Sequence, residues 1–161
     1  MTRSPIIGLV LACAVALMPT APAKAADDAF AYKISYRNIA KDPDGVWAGP
    51  ALAPSPAGTV IIHEYTLKSA QGDWLISQIW NADCDSTACP TRLVRTSADG
   101  KKTVVIDDMM HQVIPPDDPR FAALPKSGPQ AAFAKAPFHL SADGKELWNG
   151  DLRFEIGGGK P

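Results

Sequence analysis

The sequence lacks the short motifs that announce a reaction. It has no G-x-S-x-G turn, no P-loop, no G-x-G-x-x-G and no H-E-x-x-H. Its three histidines, His63, His111 and His139, fall in no zinc-ligand spacing with the cysteines. A serine–histidine–aspartate set can be drawn from any scatter of such residues, so it carries no weight in one dimension. The chain also lacks a basic block able to neutralise a row of phosphates, which argues against nucleic acid as a partner. Past its first segment it has no apolar run near the ~20 residues a membrane-spanning helix needs.

What the sequence does carry begins with a leader. Met1–Arg3 is short and positive, Ile6–Leu17 is apolar, and Ala23-Lys24-Ala25 forms an A-x-A pattern before Ala26-Asp27-Asp28. This order predicts a signal peptide over 1–25, cut after Ala25, and a periplasmic or secreted product with no transmembrane anchor left. A lipoprotein cleaved before Cys13, in Val10-Leu11-Ala12-Cys13, is the lesser alternative, because the apolar run continues beyond Cys13. Cleavage at Ala25 removes Arg3 and Lys24, taking 16 basic residues to 14 against 17 acidic ones, a net charge of −3. About 136 residues would remain, enough for one hydrophobic core.

Only Cys84 and Cys89 follow the leader, an even number in an exported chain, and they predict a disulfide. C-x4-C is not the spacing of a redox pair, so the bond is expected to pin a turn.

The hydropathy pattern is that of strands. Phe30, Tyr32, Ile34 and Tyr36 alternate with Lys33, Ser35 and Arg37, predicting one half-buried strand with the large residues on one face. Residues 41–58 hold four prolines and three glycines, predicting a long loop without regular structure that carries Trp47. Strands are expected over Thr59–Lys68 and Trp74–Asn81, joined at Gln71-Gly72-Asp73, then over Arg92–Thr96, Lys102–Asp107 and Met109–Ile114. Six prolines break up 115–137, where two helical turns fit, one entered at Asp117 or Asp118 and one at Ser127. Short strands return at Phe138–Leu140, Glu146–Trp148 and Leu152–Ile156, with Asn149-Gly150 as a hairpin turn. The string Ser-Ala-Asp-Gly-Lys at 97–101 and 141–145 reads as one turn chemistry used twice.

The expected architecture is all-β and mainly antiparallel: one domain over 26–156 of about eight strands, a small β-barrel or β-sandwich, with a tail over 157–161. Hairpin following hairpin favours the barrel.

Three functional readings remain. The first is a non-enzymatic binding module for an envelope protein or a small apolar ligand, using the 41–58 and 115–137 loops. Trp47 would anchor a partner, and Trp74 and Trp80, on one face of a strand, would line a cavity or simply fill a core. The second is copper(I), held by the thioether of Met109 and the imidazole of His111 on one strand face. The methionines suit gaps in a core equally well. A hydrolytic enzyme comes third.

Overall fold

The computed structural model describes residues 28–53 and 58–157. The expected leader over 1–25, with Cys13 and Ala25, lies outside them, as do residues 158–161 of the tail. Nine strands lie within the described residues: β1 (Asp28–Ala29), β2 (Ala31–Arg37), β3 (Ile61–Ser69), β4 (Gly72–Trp80), β5 (Ala88–Thr96), β6 (Lys102–His111), β7 (Phe138–Leu140), β8 (Glu146–Asn149) and β9 (Leu152–Glu155). Every pairing is antiparallel. They form a four-stranded sheet, β1-β7-β8-β9, and a five-stranded sheet, β2-β3-β4-β5-β6.

The class is the expected one, but the preference for a barrel is not met. β1 and β2 are one run of chain interrupted at Phe30, so the same segment edges both sheets and joins them at a corner. At the far side no pairing among the described residues closes β9 onto β6. The segment expected over 102–107 and the start of the one expected over 109–114 run together as a single strand, β6, which ends at His111 and leaves 112–114 outside it. β5 starts earlier than expected and takes in Pro90. It pairs with β4 only from Thr91 onward, so the proline lies beyond that ladder.

The core between the sheets is built by strand alternation. Tyr65, Trp74, Ile76, Leu93, Ile106 and Met110 of the larger sheet meet Phe138, Leu140 and Leu147 of the smaller one. The opposite face of the five-stranded sheet holds Ile62, Leu75, Ile79 and Val94, and the chain around Val46, Trp47 and Val60 covers it. Residues 41–53 are therefore a strap, and 54–57 of the expected loop lie outside the described residues. The strap also contains a 3-10 turn, Gly49–Leu52, where no regular element was expected. The buried carboxylate of Asp42 shapes it by accepting the N–H groups of Asp44, Val46 and Trp47 at 3.0, 2.8 and 2.8 Å.

The expected single apolar face of 30–37 is corrected by a bulge. Tyr32 pairs with Tyr65 and Ile34 with Glu64, leaving Lys33 as the extra residue. Beyond it the alternation inverts. Tyr32 packs on the inter-sheet core and Tyr36 on the strap side. The exchange lets Lys33 Nζ donate to the buried Glu64 Oε2 at 2.9 Å, and it puts Ser35 and Arg37 on the same face as His63.

Candidate functional site

The connection from β6 to β7 runs over the open end between the sheets, and two buried amides hold its ends. Gln78, fully buried on β4, donates to Thr91 Oγ1 and to the carbonyl of His111, and accepts from Trp80 Nε1 and from the N–H of Val113. All four of its hydrogen-bonding positions are filled. Asn149, also fully buried, accepts the N–H of His111 at 2.7 Å and donates to the carbonyl of Pro137 at 3.0 Å.

Between these anchors the chain makes a 3-10 turn, Pro119–Ala123, and helix α1, Pro129–Lys135. The first is entered at Asp118, whose carboxylate accepts the N–H of Arg120. The second is entered at Gly128, not at Ser127 as expected. An open groove of about 570 Å³ lies against them. Ile114, Leu124, Pro129, Phe133 and Ala134 give it an apolar lining, and Gln112, Gln130 and Asp151 add polar groups. Gly150, at φ 63°, forms part of the wall. A Cβ there would lie 3.3 Å from the Phe133 ring, so the close turn requires glycine twice over.

A second constellation lies on the β2–β3 edge. Ser35 Oγ is 2.7 Å from His63 Nδ1, 3.1 Å from Asp117 Oδ1 and 3.0 Å from the Tyr32 hydroxyl. A serine hydroxyl has one proton and two lone pairs. The Asp117 carboxylate can only accept, so the Ser35 proton goes to it. The His63 Nδ1–H then donates to Ser35 Oγ, and the Tyr32 O–H is shared between Ser35 and Asp117. His63 Nε2 is left as a bare acceptor, buried with no partner. The ring meets Trp80 edge to face at 4.6 Å. Burial pushes the His63 pKa down to about 4, against the opposing pull of Asp117 and Asp118, so the imidazole is neutral. Burial, then Asp117, raises Tyr32 to about 12. Asp118 is held down at about 2 by the Arg120 guanidinium, which itself lies over the Trp80 ring at 4.9 Å.

The residues marked in the sequence are dispersed. Trp47 is 5 % exposed; its Nε1 donates to Ser77 Oγ at 2.8 Å and Arg92 lies over its ring at 4.2 Å, so its indole faces the protein's own strap core. Trp74 is buried between the sheets, with Nε1 donating to Ser69 Oγ. Trp80 is half-buried between His63 and Arg120. Met110 is in the core. Met109 is half-buried, and His111 Nε2 stands 2.9 Å from Asp151 Oδ1. Among the described residues no group of three or more His, Cys, Asp or Glu is placed to hold a metal. Cys84 and Cys89 form a disulfide.

Sequence reasoning missed Ser35, His63 and Asp117 as a set, and the anchoring side chains of Gln78 and Asn149. No protein-family model, curated protein or solved structure matches the chain.

Proposed function

We propose that the protein is an exported, non-enzymatic binding module that takes a small apolar ligand in the groove beside α1. The groove carries this reading. Its volume lies within the ~300–1,000 Å³ usual for small-molecule sites, and its lining is apolar with a few polar groups to orient a ligand. The Cys84–Cys89 disulfide fits a chain that works in an oxidising compartment. With residues 41–53 strapped to the sheet, the 115–137 connection is the described loop that lines a groove.

The competing readings are weaker on geometry. For copper(I), Met109 and His111 supply only two ligands, and among the described residues no group of three or more His, Cys, Asp or Glu is placed to hold a metal. For hydrolysis, the Ser35 proton lies on Asp117 and the His63 nitrogen facing Ser35 carries its own proton, so His63 is not placed to act as the base for Ser35. The test is native mass spectrometry of the purified chain with medium-chain fatty acids and alkylamines. A one-to-one adduct that is lost in Ala134→Trp, which fills the groove, is the expected result. No adduct with either class, or one that Ala134→Trp leaves intact, overturns the reading.

A further inference from the structure

Apart from the groove, a smaller hollow of about 180 Å³ lies between β2, β3 and the start of the 115–137 connection, lined by Ser35, Arg37, Ile61, His63, Asp117 and Asp118. The Lys33 bulge brings Ser35 and Arg37 to this face of the sheet. The charges around the hollow are not equivalent. Both oxygens of Asp118 are committed to the Arg120 guanidinium, at 3.0 and 2.8 Å. Asp117 accepts from Ser35 at 3.1 Å and from the Tyr32 hydroxyl, and pairs with no cation among the described residues. Arg37 makes no ion pair with the described residues. The hollow therefore offers one available carboxylate, one available guanidinium and the apolar side chain of Ile61. Its floor includes His63, 2 % exposed, with an unpartnered ring nitrogen.

We propose that this hollow binds a small zwitterion, a compact aliphatic amino acid, its ammonium group on Asp117 and its carboxylate on Arg37. A lone anion would meet Asp117 and Asp118, and a lone cation would meet Arg37. A ligand carrying both charges matches both walls and leaves neither charge opposed. The hollow, at about 180 Å³ against about 570 Å³ for the groove, is small, which suits a compact amino acid such as alanine or β-alanine. Ile61 packs against the aliphatic part. The Ser35–His63 pair is a positioning element: it fixes the Asp117 carboxylate through the hydroxyl proton that Asp117 accepts.

The test is isothermal titration of the full chain with L-alanine and β-alanine, with methylammonium and acetate as half-ligands. One of the two amino acids is expected to bind at least tenfold more tightly than either half-ligand. Arg37→Gln and Asp117→Asn should each weaken it at least tenfold, while Asp151→Asn, in the groove, leaves it unchanged. Arg37 is exposed and makes no ion pair with the described residues, so its variant is expected to fold even if Asp117→Asn does not, and a thermal melt checks both. No binding of either amino acid, methylammonium binding as tightly as the amino acid, or full affinity in Arg37→Gln overturns the proposal. None of these outcomes bears on the groove, which is read by the adducts lost in Ala134→Trp.

Discussion

Ser35 and His63 face each other across the β2–β3 ladder with Oγ and Nδ1 2.7 Å apart, while the next residue of β3, Glu64, is carried to the opposite face and meets Lys33. The two consecutive buried residues titrate in opposite senses. Burial lowers His63 from 6.5 to about 4 and raises Glu64 from 4.5 to about 7, the latter with help from the Asp44 carboxylate and against Lys33. The unfolded chain binds the His63 proton first, so that contribution is complete above pH 6.5 and is lost as pH falls toward 4. The folded chain holds the Glu64 proton longer, so that contribution is complete below pH 4.5 and is lost as pH rises toward 7. Each slope is about 1.4 kcal/mol per pH unit. They cancel between pH 4.5 and 6.5, and the urea midpoint should be nearly flat there. His63→Asn should leave a midpoint that falls with rising pH, and Glu64→Gln one that rises. Parallel profiles for the two variants would show that the paired shifts are absent.

The strap gives a second prediction. Asp42 is 1 % exposed and serves three backbone N–H groups, and Arg92 donates to the carbonyl of Val46 at 2.6 Å while covering Trp47. Asp42→Ala leaves those donors without an acceptor and should cost about 3 kcal/mol in urea unfolding. Asp42→Asn keeps one oxygen and should cost less than half as much. Loss of the near-ultraviolet signal of Trp47 at urea concentrations below the global transition would place the damage in the strap.

Periodicity made the strands legible, and Asn149-Gly150 and Pro119 marked the turns at or near their true places. The site was not legible, for a local reason. A single bulged residue, Lys33, inverts the alternation after Tyr32, and no residue type announces a bulge there. Strict alternation sends Ser35 away from Tyr32; the bulge brings them to 3.0 Å. Asp117 then arrives from 82 positions away along a proline-rich connection. Trp47 was misleading because proline and glycine around it signal a loop but not which way the loop folds. The acceptor at Asp42 and the Ser77 hydroxyl, which turn the indole inward, are ordinary residues in one dimension.

The disulfide closes a loop of only a few residues, Cys84 and Cys89 being five positions apart. Chain entropy for so short a loop gives about 2 kcal/mol. Cys84→Ser with Cys89→Ala should lower stability by about that amount and leave the far-ultraviolet spectrum unchanged. Complete unfolding of the double variant at 25 °C would mean that the bond supports the sheet itself and not one turn.

Gly150 ties the hairpin turn to the groove wall. Alanine there must adopt φ near 63°, at about 1 kcal/mol. Its methyl group would also press on the Phe133 ring at 3.3 Å, adding roughly another 1 kcal/mol. Phe133→Leu removes the ring edge but not the dihedral cost. In a double-mutant cycle, Gly150→Ala should therefore cost about 2 kcal/mol in the parent and about 1 kcal/mol in the Phe133→Leu background, a coupling that contact between the two residues requires. Equal costs in the two backgrounds would separate Gly150 from Phe133 and remove the turn from the wall of the groove.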